Sequence, residues 1–75
     1  MREISPGITI DPEIRSGKPV VKGTRVPADI LVGKLAGGAT YEELMREYDL
    51  TQEQIFAALR YAASILGEER VKAIL

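Results

Sequence analysis

The chain contains no cysteine and no histidine among its 75 residues. Without cysteine there is no disulfide or thiolate–metal staple, and absence of thiols fits a reducing cytosol. Without histidine or cysteine the commonest general base and the commonest strong nucleophile are both missing. No apolar run approaches the roughly 20 residues of a membrane span. The first residues, MREISPG, lack the apolar core of a secretory signal. The formal charge is only −1, so no global field draws the protein to nucleic acid or to a membrane. The expectation is a cytoplasmic, non-enzymatic domain with no cofactor, no bound metal and no membrane contact.

A single small domain follows from the length. A chain of this size buries only about 60% of its unfolded surface, so packing must be supplemented, with oligomerisation one route. The near-neutral total hides an asymmetry. From Arg15 to Ala28 every charged residue is basic: Arg15, Lys18, Lys22 and Arg25. Between Thr40 and Arg60 five acids (Glu42, Glu43, Glu47, Asp49, Glu53) face two bases, Arg46 and Arg60.

The first 26 residues have strand and turn character. Ile8 to Ile10 reads as a short strand, Asp11-Pro12 and Ser16-Gly17 as turns, and Pro19 to Lys22 as a second strand with proline at its tolerated start. Two strands of about three residues are too weak alone, so they must pack on helices or pair with a second chain. From Pro27 the pattern becomes helical. Pro27 suits the first helical position, Asp29 the first turn, and Gly37-Gly38 the end. Thr40-Tyr41-Glu42-Glu43 is a capping box, with the Thr40 hydroxyl and the Glu43 carboxylate each satisfying a free amide. Thr51 and Gln54 repeat the device, and Leu50 with Ile55 forms a hydrophobic staple. These signals predict a helix from Tyr41 to Tyr48, a turn at Asp49-Leu50-Thr51, and a helix from Gln52 to about Leu66. Ile55, Leu59, Ala62 and Leu66 share one stripe at 100° per residue, with Glu53, Ala57, Arg60, Tyr61 and Ser64 opposite. Gly67 is expected to weaken or end the helix, leaving Val71, Ile74 and Leu75 for a last short turn or helix.

The fold expected is mainly α: an N-terminal short β-hairpin, a three-helix homeodomain-like helix-turn-helix, and a short C-terminal helix. Residues 1–26 form the arm, which would serve dimerisation. Residues 27–66 form the helix-turn-helix domain, and 67–75 a tail or helix.

Three chemistries are conceivable for these residues. A P-loop requires glycine, then lysine, then Ser or Thr before a helix; here the order is Lys22-Gly23-Thr24, and no helix starts at Thr24. Glu43 and Glu47 lie four apart and could share a cation, but Glu43 is already used in its capping box. The third is the helix pair. Leu44, Tyr48, Leu50, Ile55 and Ala58 occupy the packing positions of a helix-turn-helix, although Asp49 stands where the turn often has glycine and Met45 where alanine is common. In such a unit the start of the second helix reads bases. The candidates are Gln52, Glu53, Gln54 and Ala57; glutamine can pair with adenine and glutamate with cytosine. The neighbouring acids would repel phosphate, so Arg15, Lys18, Lys22 and Arg25, with Arg60, are the available phosphate contacts.

The DP turn at Asp11-Pro12, the run GKPVVKGTR at Gly17 to Arg25 and the spacing into TYEELMREYDLT together resemble the domain-of-unknown-function 433 family, over about Ile8 to Ala62. The resemblance implies a small bacterial or archaeal protein with a homeodomain-like helix-turn-helix. It implies a VapB-type antitoxin that neutralises a PIN-like nuclease toxin and binds its own promoter as double-stranded DNA. Only Glu68 to Leu75 follow the expected helices as a segment that could wrap a toxin. The leading expectation is therefore an antitoxin-like DNA-binding homodimer joined through its N-terminal strands. The alternative is a protein-interaction module with a helix-turn-helix fold that does not bind DNA.

Overall fold

A computed structural model describes the backbone of residues 1–74 and the side chains of residues 1–68. The side chains of Val71 and Ile74, and Leu75 itself, lie outside the described residues. Among the described residues there are three short strands, three α-helices and a single helical turn at Arg15–Gly17. The strands are β1 (Arg2–Ser5), β2 (Ile8–Ile10) and β3 (Val20–Val21); the helices are α1 (Ala28–Ala36), α2 (Tyr41–Tyr48) and α3 (Gln52–Ile74).

The sheet is antiparallel in the order β1-β2-β3. The expected hairpin is thus a three-stranded sheet, and β1 is an addition. Pro6-Gly7 turns β1 into β2, and a bulge between Glu3 and Ser5 shifts the register. β2 pairs with β3 through Ile8–Val21 and Thr9–Val20. The far edge of β3 is closed by the same chain: the Val21 amide donates to the Val26 carbonyl, and Val20 bridges Pro27. Gly23, with φ +80°, sits at the third position of the turn between them, where a type II turn requires glycine. The strands therefore find both a third strand and helices to pack on within one chain, which meets the need that pairing with a second chain would have served.

Pro27 is the N-cap of α1 rather than its first residue, with φ −67° and ψ 139°. Its ring cannot donate, and the extended ψ lets its carbonyl enter the helix. At the other end the Ala39 amide donates to Lys34 and the Gly38 amide to Leu35. Those two bonds are a Schellman cap, and Gly38 (φ +104°) supplies its left-handed residue. Both capping boxes form: Thr40 N–H to Glu43 Oε1 at 2.8 Å with Glu43 N–H to Thr40 Oγ1 at 3.1 Å, and Thr51 N–H to Gln54 Oε1 at 2.8 Å with Gln54 N–H to Thr51 Oγ1 at 3.2 Å. α2 has its expected bounds. Asp49 closes it in the left-handed region (φ 56°, ψ 51°), with Leu50 N–H donating to Met45 O.

The core is one cluster. Leu31 from α1, Leu44 from α2, Leu50 from the turn and Ile55 and Ala58 from α3 meet Ile8 and Val21 from the sheet, all buried. Two expectations for α3 change. The helix runs through Gly67 to Ile74, so the separate C-terminal helix is its continuation. The buried face is also turned: Ala57 is 3% exposed, Leu59 is half-buried, and Leu66 is exposed. The reason is that α3 is held from two sides, by α1 and α2 on one flank and by β2 and β3 on the other, so a single stripe does not describe it.

Candidate nucleic-acid interface

The start of α3 is where a base-reading helix would present its side chains. Gln52 and Glu53 are exposed there. Gln54 is half-buried, and its amide oxygen is held by the Thr51 N–H, so capping uses the group that would meet a base. Ala57 is removed from the set. The β1–β2 turn lies over it, and a Cβ built on Gly7 would fall 2.8 Å from the Ala57 Cβ. The sheet thus covers one flank of α3, leaving a shallow cleft of about 350 Å³ between the Pro6-Gly7 turn, Lys22 and the Glu53–Arg60 side of the helix.

The expected basic cluster is divided. Lys18 pairs with Asp29 at 2.8 Å and Lys22 with Glu3 at 3.1 Å. Arg60 pairs with Glu53 at 3.2 Å, so one phosphate candidate and one base-reading candidate partly neutralise each other. Arg15 and Arg25 are exposed and form no ion pair among the described residues. Arg15 and Ser16 both lie at positive φ, 52° and 56°, followed by Gly17 at 82°. This left-handed turn leaves Arg15 exposed.

Glu3 was not anticipated as part of this surface. Its carboxylate accepts from Gly7 N–H at 2.9 Å and from Lys22 Nζ. The Gly7 amide, and then Lys22, hold its pKa below the usual carboxylate value. The Pro6-Gly7 dipeptide, a turn marker, was the available signal that Glu3 stands one turn away from a strand partner. Asp29 is lowered too, first by Lys18.

On the opposite side α2 exposes Glu42, Glu43 and Glu47. Glu43 is held as carboxylate by the Thr40 backbone amide. Glu47 receives Lys34 Nζ at 3.0 Å, and that ammonium lies 5.4 Å from the centre of the Tyr48 ring. Glu47, then Tyr48, raise the Lys34 pKa. Glu43 and Glu47, the two carboxylates spaced to share a cation, therefore have other partners. No described helix is long and apolar enough to cross a membrane.

The arrangement defines a small helical domain with an N-terminal three-stranded sheet seated on the start of its longest helix. The family described as "Protein of unknown function (DUF433)" matches residues 8–62, and the chain belongs to that family. Among solved structures, it is similar to a DUF433 member protein from Anabaena variabilis (TM-score 0.74, 28% identity), covering 92% of this chain and 69% of that one. It is also similar to Rv2018 from Mycobacterium tuberculosis (TM-score 0.63, 33% identity), covering 69% of this chain and 24% of that one. No protein with a curated description matches.

Proposed function

We propose that the chain is the antitoxin-like member of a toxin–antitoxin pair, a homodimer with a homeodomain-like helix-turn-helix that masks a PIN-like nuclease and binds its own promoter. The observation that carries this reading is the α2–α3 unit. Two capped helices flank a three-residue turn, and Gln52 and Glu53 stand exposed at the head of the second helix. Base reading then falls to those two residues. Phosphate contact falls first to Arg15 and Arg25, whose charge is uncommitted, while Lys18, Lys22 and Arg60 must first leave an acid. Binding of this kind is anchored on the backbone and weak in sequence preference.

The test is titration of the protein against its own upstream duplex and a scrambled duplex at two salt concentrations. Each phosphate contact contributes about −0.9 to the slope of log K on log salt. Arg25→Ala in a dimer removes two contacts, so the slope flattens by about 2. Equal affinity for both duplexes and no footprint sink the autoregulator reading.

A second reading, a protein-interaction module that does not bind DNA, is favoured by the ion pairs on Lys18, Lys22 and Arg60. On that reading the exposed acids of α2 meet a basic, RNA-binding cleft. Charge reversal at Glu42 should then weaken the complex with the nuclease encoded alongside; an unchanged affinity removes that surface from consideration.

A further inference from the structure

One face of α3 is buried from Ile55 to Ala58 and Tyr61 still packs on the core, but beyond Ala62 its described side chains have no support from the chain's own core. Its buried side chains fall between Ile55 and Ala58, while every described side chain from Ala63 to Glu68 is exposed. The helix nevertheless continues to Ile74, about 16 Å beyond Ala63 at 1.5 Å per residue. Helix of that length is marginal in water without packing, and an interior glycine at Gly67 weakens it further.

Beside this stretch lies a groove of about 550 Å³ between α1 and α3. Its floor is made of small residues, Gly33, Ala58 and Ala62. Its mouth carries large apolar ones, Ile65 at 39% and Leu66 at 66% exposure. We propose that a second copy of this chain fills the groove, the two α3 helices packing antiparallel across a two-fold axis at Ala62.

Two properties single out a second copy. Knob and hole occur on the same strip of the same helix, as an isologous interface requires. Around an axis at Ala62, residues four before and four after face each other, so Leu66 of each copy enters its partner's groove at the level of Ala58, where Val32 and Gly33 of α1 form the accessible wall. The second property is charge. From Tyr61 to Gly67 there is no acid or base, and the charges at the rim, Lys18 and Asp29, neutralise each other at 2.8 Å. A nucleic acid or a strongly charged protein gains nothing on this strip. A surface of the same composition buries apolar area without stranding a charge. The sheet, by contrast, is poorly suited to self-pairing: its free edge, β1, carries a bulge and the exposed charges of Arg2 and Glu3, devices that blunt an edge.

The experiment uses the full chain. Sedimentation velocity across a concentration series should show a dimer, and Leu66→Glu should weaken it by at least about 100-fold, since a two-fold interface loses two buried leucines. Helicity at low concentration should be unchanged, because Leu66 is exposed in the single chain. The absence of natural cysteine allows a second measurement. Ala62→Cys should cross-link to a disulfide dimer under mild oxidation, whereas Arg2→Cys and Glu42→Cys should not. A monomer up to on the order of 100 µM overturns the proposal. So does a dimer that survives Leu66→Glu and cross-links at Arg2→Cys. These outcomes are distinguishable from failure of the function proposed above: a monomer that still footprints its promoter refutes the groove and the homodimer but leaves the regulator, and an α3-paired dimer that ignores DNA refutes only the regulator.

Discussion

Gly7→Ala perturbs the contact that seats the sheet on α3, and its cost can be worked out from the geometry. Gly7 has φ +82°, where a Cβ costs about 1–2 kcal/mol. The new methyl would also stand 2.8 Å from the Ala57 Cβ. Ala57 is 3% exposed on a helix fixed from both flanks, so it cannot swing aside as a flexible side-chain tip would. Relief requires the sheet to lift, an overpacking cost of about 1–3 kcal/mol. The sum, about 2–5 kcal/mol, is a large share of the roughly 4–11 kcal/mol expected for a domain of this length. At about 4–8 °C per kcal/mol the melting temperature should fall by at least about 8 °C. Ala57→Gly separates the two causes. Alone it costs about 1 kcal/mol as an interior helical glycine. Combined with Gly7→Ala it removes the clash but leaves the backbone strain, so the pair should be less destabilised than the sum of the singles by about 1–3 kcal/mol. Urea denaturation of the four variants, followed by far-UV circular dichroism, measures the cycle. Costs that add within about 0.5 kcal/mol would refute the contact.

Other substitutions probe the helices and charges. Asp49→Gly should stabilise by up to about 1 kcal/mol, because the left-handed backbone at the end of α2 costs glycine nothing sterically; a lower urea midpoint would contradict the assigned turn. Gly67→Ala should increase helical signal at 222 nm, since α3 continues through that position and alanine is favoured there by about 1 kcal/mol; no change would place the helix end near Leu66. Stability should fall at both pH extremes. The lowered carboxylates Glu3, Asp29 and Glu43 stabilise the fold above their ordinary values of 4.5, 3.8 and 4.5, and that contribution is lost as pH falls through their lower folded values. Lys34, raised from 10.5, contributes fully below that value and loses its contribution as pH rises through its higher folded value. With no histidine in the chain, thermal melts should be nearly flat between about pH 6 and pH 8. A step there would point to a titrating group these ion pairs do not contain.

The helices were legible because their signals are local. Thr40 with Glu43 and Thr51 with Gln54 mark helix starts within four residues, and the structure makes all four hydrogen bonds. The sheet was half legible. β1 carries Arg2 and Glu3 on exposed positions, so it lacks an apolar alternation, and its pairing depends on β2 and on Lys22, 19 residues beyond Glu3. The buried face of α3 was misread for the same reason. Periodicity locates one apolar side, but Ala57 is covered by a turn 50 residues earlier in the chain, which only the tertiary fold brings there. The cations were readable as residues but not as free charges, because Lys18, Lys22 and Arg60 find their acids across the fold.

The paired capping boxes also bear on the order of folding. Each satisfies the first amides of its helix with side chains only three residues away, and the turn between α2 and α3 is short enough for the two helices to meet through Leu44, Leu50 and Ile55 with little loop-closure entropy. The α2–α3 hairpin is thus the natural nucleus. The sheet must wait, since β3 needs the Val26–Pro27 segment and Gly7 needs the finished surface of α3. Substitutions at Leu44 should therefore slow folding, while those at Gly7 should mainly speed unfolding. The sheet that covers the head of α3 would then be the last part to close and the first to open.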